Sequence, residues 1–498
     1  MNRIVHVLAQ IGAGGFGQAV LVELVCHLRH FSGAGNTCQC FRPVLWTLGF
    51  GLGALQRKMN DMTAPTIYAC ATAPGRAALA VVRVSGPDCQ AVLAGFGATC
   101  PPPRLAGLRR LVHPHSQDLL DEALILYFSG PNSYTGEDVV ELHLHGGAAV
   151  VASVLEVLSG LPNCRPAEAG EFTRRAVLHG KLDLTRAEAV ADLIDAETTA
   201  QQVQALGQLQ GNLRDLFEGW RGELHTALAH LEADLEFADE DLPGGIGRAA
   251  LGALPDLRDK IAAFIDDTRG LKLRAGLRVA LLGAPNAGKS SLLNRLAGRD
   301  AAIVSARAGT TRDIIEIAMT LAGVPVTLID TAGLRAAGDD IEREGVRRAL
   351  AAARDADIRV LVSAPDASAE LPAEEKDLPP PEFHLSNKSD LGTPEAGATH
   401  HVSALTGDGI DGFINDLSAF LQDNYAKTGN AVLTRQRHRQ ILSEVQATLS
   451  RAIDAESRGL ELAAEDLRLA ARALGRLTGA VDVEALLDIV FADFCIGK

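Results

Sequence analysis

The chain has 498 residues, 47% of them hydrophobic and 22% charged, and reads as a globular, soluble protein of about three domains. Its net charge of −15 excludes a protein that coats nucleic acid non-specifically, so any RNA contact must be a local basic patch or belong to a partner. Eight cysteines without C-x-x-C pairing exclude a zinc ribbon and point to reduced thiols in a cytoplasm, and no apolar run reaches the ~20 residues that span a bilayer.

Residues 1–61 differ from the rest. Val5 to Gly17 contains a G-x-G-x-x-G (Gly12, Gly14, Gly17) after a strand-like run, but no second strand follows and no acidic residue stands about twenty positions on to take a ribose. The segment continues through Cys38, Cys40 and an isolated Trp46, and Met59 and Met62 offer internal starts. It is expected to be an over-long start or a disordered leader, and less a cleaved signal peptide, whose apolar region and cleavage site are not clear.

Order begins at Thr66. Ile67–Thr72 and Leu79–Ser85 are expected as strands around the turn Pro74-Gly75-Arg76, followed by a helical run near 88–94 and a strand over Ala123–Phe128. The turn-rich loop 130–138 leads into a strand, Val139–His145, that ends at a helix start, so an α+β domain is expected over 62–180. From 181 to 274 the period becomes helical. Leu206, Leu209, Leu213, Leu216, Trp220, Leu224, Leu228, Leu231 and Leu235 step by three or four, which predicts one apolar face on a single long helix.

A short apolar run then feeds Gly283-Ala-Pro-Asn286-Ala287-Gly288-Lys289-Ser290-Ser291, the strand–G-x-x-x-x-G-K-S–helix context of a P-loop. Its glycines let backbone N–H groups close around phosphate oxygens, with Lys289 reaching the outer phosphates and Ser290 holding Mg²⁺. Gly309-Thr310-Thr311 supplies a switch threonine, Thr311, as second Mg²⁺ ligand. Asp330-Thr331-Ala332-Gly333 follows, with Asp330 for the metal's water shell and the Gly333 N–H for the γ-phosphate. In Asn387-Lys388-Ser389-Asp390, Asp390 can accept from the guanine N1–H and amine, and Ser403-Ala404 would close over the base. Leu334 occupies the place of a water-orienting glutamine, which leaves Glu342 as the nearest carboxylate. The G domain is expected over 275–428. Helical periodicity resumes over 429–498, so the nucleotide block is expected to interrupt one helical domain.

Three runs carry a resemblance: TAPGRAALAVVRVSG, GPNSYTGEDVVELHLHGG and GEFTRRAVLHGKLDLTRAEAVADLIDAET. With the P-loop, DTAGLR and the terminal FCIGK, they are similar to the tRNA modification GTPase MnmE (TrmE) family over 62–498. The resemblance implies an N-terminal tetrahydrofolate-binding, aminomethyltransferase-like domain that forms a homodimer, and a Ras-like G domain inserted in a helical domain. It implies that, with the FAD-dependent partner MnmG, the protein adds an aminomethyl-type group to C5 of the wobble uridine of certain tRNAs. The one-carbon unit would come from 5-formyl-tetrahydrofolate or a related donor. Arg83, Glu141, Lys181 and Lys498 carry over as folate contacts, and Glu342 matches the family's water-orienting glutamate. A K⁺ ion beside the phosphates would be held by Asn286 and by carbonyls of Ser305, Arg307 and Thr310. Ser305-Ala306-Arg307 departs from the family's usual residues there, which bears on cation affinity. Cys495 stands as either a one-carbon nucleophile or a small apolar plug. The competing reading is an RNA-binding, ribosome-assembly GTPase of the Era-like class, for which a basic RNA module should follow the G domain.

Overall fold

The computed structural model describes residues 64–236, 246–284, 286–298, 316–330, 351–367, 378–392, 397–426, 431–454, 459–481 and the C-terminal positions 487, 490, 491, 494, 495 and 497. Contacts divide the chain into two compact units, one up to Glu168 and joined by Gly497, the other from Ala169 on. The leader 1–61 lies outside the described residues.

The first unit orders β1 (Thr66–Cys70), β2 (Leu79–Ser85), α1 (Cys89–Gly95), β3 (Gly107–Val112), β4 (Leu119–Phe128), β5 (Val139–His145), α2 (Ala148–Gly160) and β6 (Cys164–Pro166). Its six strands run β3-β4-β5-β2-β1-β6, antiparallel apart from the β1–β6 pair. Alternation assigns the two faces. Val82, Val84, Ile125, Val140, Leu142 and Leu144 pack with Phe96 and with Leu93 and Leu158 of the two helices. The opposite parity sets Arg83 across from Glu141 and Val81 across from His143. The edge strand β3 was not expected. Its two arginines and two exposed positions give it no apolar alternation to detect.

The second unit opens with α3 (Glu171–Leu178), α4 (Leu184–Asp195), α5 (Thr199–Leu209), α6 (Asn212–Glu236), α7 (Ile246–Asp266) and α8 (Arg269–Ala275). A second sheet follows: β7 (Leu277–Leu282), α9 (Lys289–Ala297), β8 (Glu316–Leu321), β9 (Val324–Asp330), β10 (Ile358–Ser363), β11 (Phe383–Ser386), β12 (His400–His401) and α10 (Ile410–Leu421). Helices α11 (Gln436–Asp454) and α12 (Leu460–Thr478) complete it. The sheet order is β12-β11-β10-β7-β9-β8, parallel except for the β8–β9 hairpin. Central β7 is buried along nearly its whole length, as a strand covered on both faces must be.

Helices on either side of this sheet in sequence share one core. Leu213, Trp220 and Leu224 of α6 and Leu254 and Ile261 of α7 meet Val445 and Leu449 of α11 and Leu467 and Leu474 of α12. The single long helix expected from the 206–235 stripe is two helices. Gly211, at φ +107°, ends α5 and admits the turn into α6, and Leu206 lies on α5, 37% exposed rather than in the core. Apolar spacing across a two-residue break keeps its three-to-four step, so periodicity alone could not locate it.

The chain enters and leaves the sheet at one place. Asp192 of α4 accepts from Arg274 Nε (2.7 Å), just before β7, and from Arg435 Nη2 (2.6 Å), just before α11. Gln204 of α5 donates to the Gly270 carbonyl at 3.3 Å, and Thr434 donates to Gln208 at 3.3 Å. A Cβ on Gly270 would sit 2.4 Å from the Leu433 carbonyl, so the ingoing and outgoing segments touch backbone to backbone. The hairpin is anchored as well, since the Ala200 N–H at the start of α5 donates to the Gly323 carbonyl at 3.0 Å.

A buried polar cluster joins α4 to α11. Glu188 accepts from His438 Nε2 at 2.8 Å and from Arg437 through both oxygens at 3.1 Å. Burial alone would raise the Glu188 carboxyl, yet its bonds to His438 and Arg437 hold it at about 2. Burial holds His438 below its usual value despite the adjacent carboxylate, and its Nδ1 has no partner among the described residues, so the neutral Nε2–H form is the native one. Both groups thus bind protons less readily folded than unfolded. The His438 contribution to stability is complete above about pH 6.5 and is lost as pH falls below it. That of Glu188 is lost further down, between about pH 4.3 and 2. Urea midpoints followed by circular dichroism should therefore fall from pH 7 to pH 5, and His438→Gln should flatten that slope; a midpoint independent of pH in the wild type would contradict the assignment.

Candidate functional site

The loop after β7 is shaped by three positive-φ residues: Gly283 at +133°, Asn286 at +65° and Gly288 at +90°. Two of these glycines are required by close approach. A Cβ on Gly283 would fall 2.1 Å from the Val362 carbonyl of β10, and one on Gly288 would fall 2.3 Å from Asn387 Nδ2. The loop is therefore pressed against two strand ends, with α9 starting at Lys289 directly behind it. Lys289 is 4% exposed and donates through Nζ to the Gly283 and Ala284 carbonyls at 2.5 and 2.9 Å, which holds an ammonium over the loop. Ser290 Oγ donates to Asp330 Oδ2 at 2.5 Å. A hydroxyl and a fully buried carboxylate brought together at a helix N-terminus are hard oxygen donors of the kind that suit Mg²⁺, so these residues fit the ion.

The base-side motif lies across the same loop. Asn387 donates through Nδ2 to the Ala287 carbonyl (2.9 Å) and accepts at Oδ1 from the Ala404 N–H (3.0 Å), tying the P-loop to the 403–406 turn. Asp390 is exposed and accepts from Ser403 Oγ at 2.5 Å, which fixes the carboxylate on the open side of that turn. Lys388, at φ +59°, reaches Asp366 with both oxygens within 2.8 Å. Asp366, with Arg295, whose Nε donates to the Ala404 carbonyl at 3.1 Å, is a member of this arrangement that sequence reasoning missed. Neither belongs to a motif, and only the fold brings them there.

Asn286, Ala287, Gly288, Lys289, Ser290, Ser291, Asp330, Asn387, Lys388, Asp390, Ser403 and Ala404 are thus all described. Ser305, Arg307, Thr310, Thr311, Thr331, Ala332, Gly333, Leu334 and Glu342 lie outside the described residues. The fit of a K⁺ ion therefore rests on Asn286 alone.

In the first unit, Arg83 donates to Glu141 Oε1 through Nε (3.1 Å) and Nη2 (2.9 Å) and stands over the Tyr134 ring at 5.6 Å. Glu141 Oε2 faces His143 Nε2 at 3.5 Å. Lys181 belongs to the second unit, where its N–H bonds the Ala176 carbonyl at 2.8 Å, and Lys498 lies outside the described residues. Cys495 is exposed, and its carbonyl accepts from the Gly170 N–H at 3.3 Å while Phe491 and Phe494 pack over Gly170. Among the described residues no group of three or more His, Cys, Asp or Glu side chains converges on a metal position, and no helix is long and apolar enough to cross a membrane.

Two family models match the chain: the MnmE helical domain over residues 184–495 and the GTP-binding protein TrmE N-terminus over 66–181. A tRNA modification GTPase MnmE of Parvibaculum lavamentivorans is 53% identical over 440 residues, 87% of this chain and 100% of that one. Those of Paramagnetospirillum magneticum (50% over 442 residues, 87% and 99%) and Rhodospirillum rubrum (50% over 464 residues, 88% and 100%) are similar throughout. Among solved structures, the G domain of the T. maritima FeoB iron transporter is 25% identical and covers 29% of this chain and 99% of that one, with a TM-score of 0.21.

Gly288 offers a direct test of the loop geometry. Gly288→Ala adds a Cβ at φ +90° and 2.3 Å from Asn387 Nδ2. A left-handed alanine costs roughly 1–2 kcal/mol and the displaced Asn387 adds to that, so nucleotide affinity should drop by about tenfold or more. Gly298→Ala, with ordinary space and ordinary φ at the far end of α9, should leave it unchanged. Fluorescent-nucleotide titration distinguishes the two, and equal affinities would mean that the Gly288–Asn387 contact does not shape the site.

Proposed function

This chain belongs to the MnmE (TrmE) family of tRNA modification GTPases, and we propose on that premise that it hydrolyses GTP to gate a folate-dependent modification of the tRNA wobble uridine. The observation that carries the nucleotide half is the union of P-loop and base motif through Asn387, which bonds Ala287 on one side and Ala404 on the other. Asp390, held by Ser403, accepts from the guanine donors, and a site built on that bond discriminates strongly against adenine. Mg²⁺, when bound, would supply charge neutralisation at the phosphates; Ser290 and Thr311 would hold it, with Asp330 as the nearby carboxylate. Lys289 binds the outer phosphates, and Glu342 orients the attacking water where Leu334 cannot.

The modification half places the tetrahydrofolate, 5-formyl or a related form, against Arg83, Glu141, Lys181 and Lys498. A carboxylate accepts from pterin donors, and the cations meet the carboxylates of the glutamate tail. Homodimerisation through the 62–180 domain is supported by exposed apolar residues on its sheet: Leu108 and Leu124, cross-strand partners on β3 and β4, are 64% and 39% exposed. With the FAD-dependent partner MnmG, the assembly adds the aminomethyl-type group to C5 of the uridine, in the cytoplasm. The 181–274 and 429–498 segments form the helical host of the 275–428 G domain. Helices α11 and α12 occupy the place where an Era-like RNA module would stand.

Mass spectrometry of tRNA from a strain lacking this gene should show unmodified wobble uridine. Wild type should restore the modification and Asp390→Asn should not; modified uridine persisting in the deletion would sink the proposal.

The cation reading makes a separate prediction. With no glutamine after Gly333, intrinsic hydrolysis should be slow, and K⁺ held by Asn286 and the carbonyls of Ser305, Arg307 and Thr310 should supply part of what an arginine finger supplies elsewhere. Such a finger is worth about 10³–10⁵ in rate, so partial mimicry is easily seen. Turnover should be several-fold higher in KCl than in NaCl at matched ionic strength. Glu342→Ala should lower turnover with nucleotide affinity nearly intact. Equal rates in both salts would exclude the potassium mechanism.

A further inference from the structure

Asp366 stands beside the base motif without belonging to it. Strands β10 and β11 run parallel with Ser363 opposite Ser386, so the residues that follow each strand emerge side by side. After β10 the chain turns at once. The Ala367 N–H donates to the Ala364 carbonyl at 3.1 Å, and Pro365 takes the first central position, where its fixed φ suits a turn. Asp366 is the second central residue and remains half-exposed. After β11, Lys388 takes φ +59°, a conformation that a residue with a Cβ adopts only at a cost. Its Nζ donates to both Asp366 oxygens, at 2.8 and 2.7 Å. The Leu391 N–H donates to the Lys388 carbonyl at 2.9 Å, a turn that brings Lys388 and Asp390 together. The lysine stem lies along the P-loop, since a Cβ on Gly288 would be 3.9 Å from Lys388 Cε.

A nucleotide with its phosphates on the P-loop and its base edge at Asp390 passes alongside that stem. An unanchored lysine samples many rotamers, and a ligand that orders one loses affinity for doing so. Lys388 is ordered already, because the Asp366 carboxylate grips its ammonium from the neighbouring strand end. The bond to Lys388 also holds the Asp366 carboxyl below the usual carboxylate range, so the pair is ionised at neutral pH. We propose that Asp366 is a positioning residue for the guanine nucleotide: it keeps the Lys388 side chain stretched from the end of β11 past the P-loop, so that its methylene stem is in place as an apolar ledge before the base arrives. Asp366 acts through Lys388 alone. The inference rests on guanine-nucleotide binding at this site and deepens it by naming the residue that preorganises the wall between the phosphate side and the base side.

The test is a double-mutant cycle read by titrating a fluorescent GDP into the full-length protein in the presence of Mg²⁺, with thermal unfolding of the nucleotide-free variants as the check on folding. Ordering one rotamer-rich side chain on binding weakens affinity by roughly 2- to 13-fold, and Asp366→Ala should show a loss of that size. Lys388→Met keeps a long apolar stem without the ammonium and should lose about as much. In the Lys388→Met background, Asp366→Ala should cause no further loss. The affinity ratio of wild type to Asp366→Ala should also shrink as NaCl is added, because an exposed ion pair is screened. Should Asp366→Ala unfold below the wild-type temperature, Asp366→Asn, which keeps the size and suits the turn, takes its place in the same cycle. Wild-type affinity in the Asp366 variant, with the wild type itself binding, overturns the role of Asp366 and leaves the nucleotide reading intact. Equal losses with and without the lysine ammonium overturn it too, since the effect would then not pass through Lys388. A ratio independent of salt does the same. No binding of the fluorescent GDP by the wild type overturns the nucleotide reading and this inference with it.

Discussion

A chain that leaves a helical core, builds a six-stranded nucleotide sheet and returns must bring its two crossing segments together, and the second unit depends on that constraint. Asp192 meets it electrostatically by accepting from Arg274 on the way in and Arg435 on the way out. Gly270 meets it sterically, because only a residue without a side chain lets Leu433 approach so closely. Asp192 is nearly buried, so neither arginine can be removed without leaving a carboxylate short of its partner, a costlier event than losing a solvated ion pair. Domain insertion tolerates a guest whose ends are adjacent, and here adjacency is enforced by the host. Helix α5 completes the clamp with Gln201, Gln204 and Gln208, spaced three and four apart on one helical face toward the two crossing segments.

The nucleotide site is held by equally close approaches, two of them to a backbone carbonyl and one to a side-chain amide. Gly283 lies under the Val362 carbonyl, Gly288 under Asn387, and Gly409 under the His401 carbonyl. At Gly283 and Gly409 a side chain would run into strand backbone, and at Gly288 it would displace the Asn387 amide. The phosphate side and the base side of the pocket are thereby fixed to consecutive strand ends of β7, β10, β11 and β12. A site framed by strand ends and glycines is preorganised, so less ordering has to accompany binding.

Much of this was legible in the sequence because phosphate binding demands residues that little else demands in that order. Gly288-Lys289-Ser290 and Asn387–Asp390 could be assigned to roles from spacing alone, and the structure brings them together across Asn387. The strands of both sheets were legible where they are buried on at least one face, as with Val139–His145. What escaped was whatever depends on neighbours distant in sequence. Gly211 looked like one more helix residue because the leucine step continues past it. Strand β3 pairs through its backbone and carries no apolar pattern. Asp366 joins the site only because β10 lies beside β11, and Asp192 is an unremarked helix aspartate until two arginines from 82 and 243 residues away reach it.

The anchoring of the β8–β9 hairpin limits how the two halves of the second unit can influence one another. The hairpin connects residues 301–315 to residues 331–350, the segments expected to carry the switch threonines and Gly333. Its turn is fixed to α5 by one hydrogen bond, Ala200 N–H to the Gly323 carbonyl, with Gly323 at φ +78° and in van der Waals contact with Thr199. A single such bond contributes about 0.5–1.5 kcal/mol net, or at most roughly a thirteenfold change in an equilibrium. A full swing from one state to another requires about 5.5 kcal/mol of differential binding, so this contact cannot carry such a change alone. The remainder would have to come from contacts that break or form together, and the Asp192 bridge and the glutamine face of α5 are the ones positioned to do so. The glutamine face lies on α5, the helix of the hairpin contact, and Asp192 lies on α4, the helix before it. A displacement of α5 would therefore strain the crossing segments, because Gln201, Gln204 and Gln208 bond them from the helix that also holds the hairpin turn.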